Sequence, residues 1–412
     1  MNKIIYLDSA ASTQIDPRVK QDIIESMNND WMNPSSVYEG GREVRRKIEH
    51  VRDQVRELIG ARKEDKIIFT SCSTESNNLA VQGFIKLHSP KRTYIFYDWL
   101  QHPSLENIKT FIDKYNEDLN CVWHPIFNDK YGRIELSSLK TYFDLIKKGK
   151  PKDDWVKVLV PVIYTNNETG VINNVKDVSE LVHSYGGYVL ADCAQAIYHH
   201  HINVQKEGID MMTFTSEKIG MPRGVGVLYV RDGIDIEPIM YGGSQENNIR
   251  PGTENSQMII ALGNQCERIK NELEDNINRE YKILYLMESA IRNACDSICE
   301  YEINGVNYNG KDYVKISPNI LSVQFYCNDN GYKGYNNQEL LTLLDQYGVY
   351  CSAGSACSSH KSEPSRILTS IGLTEEQANS TLRFSFDHTL KEEDITEFGK
   401  ILRKCLIALK QN

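Results

Sequence analysis

Between Gly41 and Ile59 the apolar residues Val44, Ile48, Val51, Val55 and Ile59 recur every three or four positions, and Gly60 follows the last of them. That spacing predicts an amphipathic helix ended by glycine. Asp16-Pro17 predicts the start of an earlier helix, after a short strand over Ile4 to Leu7. Further on, the runs Lys66 to Thr70, Tyr94 to Tyr97, Val156 to Tyr164, Tyr188 to Ala191, Met211 to Phe214 and Val225 to Val230 alternate with helical stretches. This alternation predicts a largely parallel sheet with helices on both faces. In such sheets ligands sit beyond the carboxyl ends of the strands, so the residues just after each strand carry the chemistry. From about Gly263 the pattern changes to a long helix, Asn264 to Asp296, then separated strands over Ile320 to Tyr326 and Thr381 to Phe386, and a final helix from Lys391 to Leu409. It predicts a second, α+β unit, with Asn304 to Asp312 as a surface loop.

Composition narrows the setting. At 412 residues the chain exceeds what one compact core accommodates and suits two domains with a cleft between them. A net charge of −9 gives no basic field for phosphate backbones, which argues against direct nucleic-acid binding. The N-terminus lacks a signal-peptide apolar core and the longest apolar run, Val158 to Tyr164, is far short of a membrane span, so a soluble, cytoplasmic protein without membrane partners is expected. Ten cysteines lie scattered without zinc-ribbon pairing, as in a chain of mostly reduced thiols. Cys295 and Cys299 have helical spacing and read as packing residues.

The strand ends carry the candidate chemistry. Thr70-Ser71-Cys72-Ser73-Thr74-Glu75-Ser76-Asn77-Asn78 leads from a strand into a helix. Small side chains, amides and a helix N-terminus suit a phosphate, although the same turn alone is an ordinary helix cap. Trp99-Leu100-Gln101-His102-Pro103-Ser104 presents a histidine able to stack on a ring and move protons, or one with no role. Asn166-Asn167-Glu168-Thr169-Gly170 follows the next strand, and Asp192 ends another, with Gln195 close behind. A carboxylate ending an apolar strand is costly to bury unless it meets a cation such as a pyridinium nitrogen. Thr215-Ser216-Glu217-Lys218, followed by Gly220, Gly224 and Gly226, suits a Schiff-base lysine against a planar aldehyde cofactor; a solvated turn lysine is the alternative. Cys357, in Gly354-Ser355-Ala356-Cys357, is surrounded by small residues, as on a mobile loop displaying a nucleophile rather than in a core.

In this order the residues resemble the cysteine desulfurases of the NifS/IscS type, pyridoxal-phosphate enzymes of aminotransferase class V. The resemblance runs from Tyr6-Leu7-Asp8-Ser9-Ala10-Ala11-Ser12-Thr13 and Asn33-Pro34-Ser35-Ser36 through the strand-end motifs to Arg250-Pro251-Gly252-Thr253, Glu363-Pro364-Ser365 and Leu382-Arg383-Phe384-Ser385. It implies the α/β fold type I of pyridoxal-phosphate-dependent transferases. A large domain, 14–262, would hold a mostly parallel seven-stranded sheet flanked by helices, and a smaller α+β domain, 1–13 with 263–412, would carry a mobile catalytic loop at about 350–365.

The resemblance also implies roles. Lys218 would hold pyridoxal 5'-phosphate as a Schiff base and Asp192 would keep its ring nitrogen protonated. His102 would stack on the ring and take part in catalysis, Gln195 would bond the phenolic oxygen, and Asn167 the cofactor and the substrate carboxylate. Ser73, Thr74 and Thr215 would hold the phosphate, with Thr253 reaching across from the partner subunit of a homodimer. Arg383, helped by Asn33, would clamp the carboxylate of L-cysteine. Cys357 would take the substrate sulfur as a persulfide, leave L-alanine, and pass the sulfur directly to an acceptor protein of iron–sulfur cluster assembly, tRNA thiolation or DNA phosphorothioation. No metal is implied.

Three features depart from that pattern. Glu217 stands where the family has histidine beside the phosphate. Like charges at ~4 Å and an effective dielectric of ~20 repel by about 4 kcal/mol, so Glu217 is expected to turn out of the phosphate cup. Cys351 and Cys193 are extra thiols, read as small core residues with a sulfur relay as the alternative. The run His199-His200-His201, read as a strand, would point its rings to opposite faces and so not converge on one ion. Two other readings share these residues: another class V aminotransferase or lyase, such as a selenocysteine lyase, and a weakened homologue that docks in a sulfur-transfer complex.

Overall fold

The computed structural model describes residues 3–89, 92–115, 120–148, 157–306, 315–328, 331–354 and 364–410. After a short strand β1 (Ile5–Tyr6), seven strands build the main sheet. They are β2 (Lys66–Thr70), β3 (Thr93–Asp98), β4 (Cys121–Ile126), β5 (Lys157–Ile163), β6 (Tyr188–Asp192), β7 (Met211–Thr215) and β8 (Gly226–Val230), in the order β2-β8-β7-β6-β5-β3-β4. Only β8 runs against its neighbours. The mostly parallel α/β sheet expected from the sequence is present. Its central strands are buried on both faces, which is why Val158 to Ile163 reads as an unbroken apolar run rather than an alternating one.

The helix Glu39–Ile59 buries Val44, Ile48, Val51, Val55 and Ile59, and Gly60 ends it at φ 65°, as the spacing predicted. It packs against the long helix Ser256–Cys295, where a Cβ on Gly263 would lie 2.6 Å from Val51 Cγ2. A larger residue there would force the two helices apart. The long helix starts eight residues before the expected Asn264 and runs 40 residues from one core to another. Ile259, Leu262 and Ile269 pack under the main sheet, whereas Ile283, Met287 and Ile291 pack under a second sheet. That sheet pairs β10 (Ile320–Cys327) with β9 (Glu300–Ile303), β11 (Lys333–Gly334) and β13 (Thr381–Ser385), all antiparallel. The closing helix is Glu392–Lys410. The expected loop Asn304 to Asp312 falls largely outside the described residues.

Strand β12 (Val349–Tyr350) pairs in parallel with β1. The N-terminal segment then runs beside β13: Ser9 N–H donates to Ser385 O at 3.1 Å, Ser385 N–H to Leu7 O at 2.9 Å, and Ala10 N–H to Ser385 Oγ at 2.9 Å. Residues 8 to 13 are thereby laid across the carboxyl edge of the main sheet.

One buried ion pair fastens a strained turn behind that edge. Glu246, Asn247 and Asn248 all have left-handed backbones, at φ 47°, 56° and 63°. Such conformations cost non-glycine residues roughly 1–2 kcal/mol each. Arg52 holds the Glu246 carboxylate with two bonds, 2.7 and 2.8 Å, and the Phe69 amide adds a third at 3.0 Å. Both side chains are buried. Arg52→Ala should therefore lower unfolding stability by about 3–5 kcal/mol, because it strands a buried carboxylate, and denaturant midpoints will measure the loss.

Among the described residues no helix is long and apolar enough to cross a membrane. The nine described cysteines are free thiols.

Candidate active site

The strand ends deliver their polar residues to one edge. Asp192 is the last residue of β6 and Thr215 the last of β7, while the turn after β3 carries His102. Gly226 opens β8 at the same edge, opposite both Thr70 and Thr215. A Cβ there would lie 2.4 Å from the Cys72 carbonyl carbon, so glycine lets the turn after β2 fold down onto the sheet. That turn ends at Cys72, which gives no side-chain cap to the helix Ser73–His88, an arrangement that suits an anion.

Two chains of hydrogen bonds organise the edge. In the first, Lys218 Nζ donates to Ala10 O at 2.6 Å and Ala11 O at 2.5 Å, and Gln195 Nε2 donates to the same Ala10 O at 2.7 Å. Lys218 sits in the single turn Ser216–Lys218 that ends β7. Thr13 pins that turn by donating through both N–H and Oγ1 to Glu217 O at 3.0 Å. In the second chain, Asn77 Nδ2 donates to Asp192 Oδ2 and to Ser104 Oγ, each at 2.9 Å. Thr213 Oγ1 donates to Asn77 Oδ1 at 2.7 Å, and Ser104 Oγ lies 2.8 Å from His102 Nδ1. Ser73 joins through Thr213 at 3.4 Å. Asn77 is thus the hub of this chain, a role that no spacing or motif pointed to. A buried asparagine on an otherwise apolar helix face was the available signal.

Arg383 lies on β13, 2% exposed. Its Nη1 donates to Asn167 O at 2.9 Å and its Nη2 to Asp8 Oδ1 at 2.6 Å. Its Nε and the neighbouring Asn167 Oδ1 are both buried without a hydrogen-bond partner. A ligand meeting both atoms must offer an acceptor and a donor side by side.

Thr74, exposed, lines an open cleft of ≈ 470 Å³ with His102, Ser104, Asn78, Gln82 and Asn107. Asn33 is less engaged than expected: its Oδ1 accepts from Ser35 N–H at 2.8 Å, closing its own turn. Thr253 is exposed on the loop before the helix Ser256–Cys295. Cys357 lies outside the described residues, as does most of the expected loop at 350–365.

These groups fit pyridoxal phosphate in three respects. The uncapped helix start and Ser73 suit its phosphate, the buried Asp192 carboxylate suits a protonated ring nitrogen, and Lys218 supplies the amine. At Glu217, Oε2 accepts from Thr215 Oγ1 at 2.5 Å, so the carboxylate takes up the Thr215 hydroxyl proton, one of those expected at the phosphate. Glu217→Gln, which removes the charge and can itself donate, should tighten pyridoxal phosphate binding by tenfold or more, given a repulsion on the order of 4 kcal/mol at ~4 Å. Absorbance titration of the apoprotein measures that change.

The other singled-out residues have separate partners. Burial, with Glu207 and Asp192 adding repulsion, holds the Cys193 thiol well above the ordinary range. Burial and then Asp8 do the same for Cys351. Both are poor thiolates for a sulfur relay. The three histidines lie in a turn, not a strand, and diverge: His199 bonds Glu280, His200 bonds Ser317 and His201 bonds Glu274. Burial and the neighbouring His199 depress His200 to about 3. Cys299 follows the end of the long helix, its N–H donating to Cys295 O.

A family model described as aminotransferase class-V matches residues 5–398. Among curated proteins the chain is similar to the cysteine desulfurase IscS of Dictyoglomus turgidum, 32% identical over 410 residues that span 100% of this chain and 96% of that protein. It is likewise similar to the cysteine desulfurase IscS of Methanosarcina thermophila, 30% identical over 99% of this chain and 93% of that one. A solved structure, the NifS-like protein from Rickettsia africae, superimposes with a TM-score of 0.80 at 27% identity, covering 98% of this chain and 99% of that one.

Proposed function

The chain belongs to the aminotransferase class-V family, and from that premise we propose that it is a pyridoxal-phosphate-dependent cysteine desulfurase. It takes sulfur from L-cysteine, leaves L-alanine and passes the sulfur to an acceptor protein. The observation that carries this reading is the pair of unpartnered buried atoms, Arg383 Nε and Asn167 Oδ1. An α-amino acid has the matching carboxylate and ammonium on adjacent atoms.

In this reading Lys218 is the attachment point of pyridoxal phosphate, Asp192 faces its ring nitrogen, and the helix start at Ser73 and Thr74 receives its phosphate. When bound, the cofactor supplies an electron sink for charge developing at the substrate α-carbon. Arg383, already oriented by Asp8 and by Asn167 O, holds the substrate carboxylate with the rest of its fork. Lys218 Nζ takes the α-proton, and the carbonyls of Ala10 and Ala11 hold the ammonium that results. His102 would stack on the cofactor ring, with Nε2 as the nitrogen left free of the Ser104 contacts to Nδ1. The Cys357 thiolate attacks the substrate sulfur; the new S–S bond forms as the carbon–sulfur bond breaks, and the carbon is reprotonated to alanine. Cysteine and one enzyme thiol thus become alanine and one enzyme persulfide.

The two-domain division at 262 and 263, a cytoplasmic location, and a homodimer in which Thr253 serves the other subunit's phosphate site belong to the same proposal; the exposure of Thr253 supports the last. Acceptors of iron–sulfur assembly, tRNA thiolation or DNA phosphorothioation are separated by capturing partners on persulfidated protein. The direct test supplies L-cysteine and pyridoxal phosphate to purified protein. Alanine and, with a reductant, sulfide should appear in equal amounts. Cys357→Ala should lose about 100-fold or more in sulfide release while keeping the visible absorbance of the bound cofactor, as removal of a nucleophile does. An active Cys357→Ala variant would leave a lyase that does not use this thiol.

A further inference from the structure

The hydrogen-bond chain from Asp192 to His102 has only one consistent direction. A carboxylate only accepts, so the Asn77 atom 2.9 Å from Asp192 Oδ2 must be Nδ2, and Oδ1 must receive the Thr213 hydroxyl proton at 2.7 Å. The second Nδ2 hydrogen then goes to Ser104 Oγ at 2.9 Å. A hydroxyl can accept twice, so the ring sets the last bond: Nδ1 takes an amide proton and carries none of its own, and Ser104 Oγ, 2.8 Å away, donates to it. The Ser104 amide donates to the same Nδ1 at 3.1 Å. Two donors thus meet one ring nitrogen, which leaves the imidazole proton on Nε2. The environment is closed enough to hold this pattern: Asn77 is fully buried, and Ser104 is 8% exposed.

The turn is braced from outside as well. Arg366 donates to Trp99 O at 2.7 Å and Gln101 O at 3.1 Å, and Gln101 Nε2 donates to Pro161 O at 2.6 Å. These bonds fix the backbone that carries His102. Among the described residues, the hydroxyl of Ser104 connects the His102 ring to the site's carboxylate through Asn77.

We propose that Ser104 is a positioning residue: its hydroxyl relays the Asn77–Asp192 contact to His102 Nδ1 and so presents the ring as the Nε2–H tautomer. This rests on the desulfurase reading only for what His102 then does. Electronically, the relay makes Asp192 and His102 one unit, so a gain or loss of a hydrogen bond at Asp192 is felt at the histidine.

The test is nitrogen NMR of the holoenzyme with ring-labelled histidine, the His102 signals being assigned by their loss in His102→Gln. In the native protein His102 Nδ1 should resonate as an unprotonated nitrogen and Nε2 as a protonated one. In Ser104→Ala, Nδ1 keeps only the amide, and both signals should move toward tautomer exchange, with kcat for alanine formation falling about tenfold and KM within twofold of native. Ser104→Thr retains the hydroxyl and should restore both. Ser104→Cys fills the space with a weak donor and replaces the alanine variant if that one does not fold. Native-like nitrogen signals in the alanine or cysteine variant, or a threonine variant that behaves like alanine, would overturn the proposal. The NMR readout decides even if no alanine is formed from cysteine, a result that would instead sink the desulfurase reading.

Discussion

Arg383→Leu should raise the KM for L-cysteine by about 30- to 1,000-fold, the range that follows from losing 2–4 kcal/mol of buried, charge-assisted bonding. The guanidinium is almost wholly buried and fixed at two of its edges, by Asn167 O and Asp8 Oδ1. A substrate carboxylate therefore meets a fork whose orientation is settled before binding. The effect should concentrate in KM, since in the proposed mechanism Arg383 would hold the carboxylate in ground state and transition state alike. Arg383→Lys keeps the charge but cannot reproduce a planar fork, and should fall between the two. Asp8 loses its partner in the leucine variant, yet it is 21% exposed and water can reach it, so the melting temperature should drop only slightly. Steady-state kinetics of alanine formation check the first expectation and calorimetry the second. An unchanged KM would remove Arg383 from the substrate site.

Lys218→Ala should cost about 10⁴-fold in turnover, the upper end for removal of a general base, because in the proposed mechanism the same residue is also the covalent anchor. The visible absorbance of bound pyridoxal phosphate should shift away from that of a protonated Schiff base, which spectrophotometry reads without any assay of activity. Arginine at this position separates the roles. Lys218→Arg can still donate to Ala10 O and Ala11 O, so its thermal stability should stay near native while turnover remains as low as in alanine. If both variants melt early, the lysine serves mainly to hold down the N-terminal segment.

The sheet was legible wherever strands are buried on both faces, because burial leaves a continuous apolar run that periodicity detects. Strand β4 escaped for the opposite reason. It is one of the two edge strands, its residues are mostly half-buried, and Pro125 interrupts it, as an edge tolerates and a centre does not. Ser256 was missed as a helix start because Met258 to Leu262 is nearly all apolar, with no polar face to show a helical period. At the site, Lys218, Asp192, Gln195 and Arg383 could be placed from their positions after strands or in motifs. Asn77 could not, since its importance lies in contacts with Asp192, Thr213 and Ser104 that no sequence spacing encodes. Charge alone did not show where the Glu217 carboxylate finds its partner: the Thr215 hydroxyl two residues away offers it a short local bond.

The laying of residues 8 to 13 across the sheet edge has a consequence for the order in which the protein becomes competent. Asp8 and Arg383 are 375 positions apart, and β1 has no neighbour until Val349 and Tyr350 have been made. A chain emerging from the ribosome can assemble β2 to β8, and with them Asp192 and Thr215, while its first dozen residues still lack their pairing strands. The bonds of Ser9 and Ala10 to Ser385, and that of Arg383 to Asp8, form only once β13 has been synthesised. A nascent chain would thus hold the Asp192 and Thr215 edge without the Arg383–Asp8 pair, and the proposed sulfur chemistry would wait for β13.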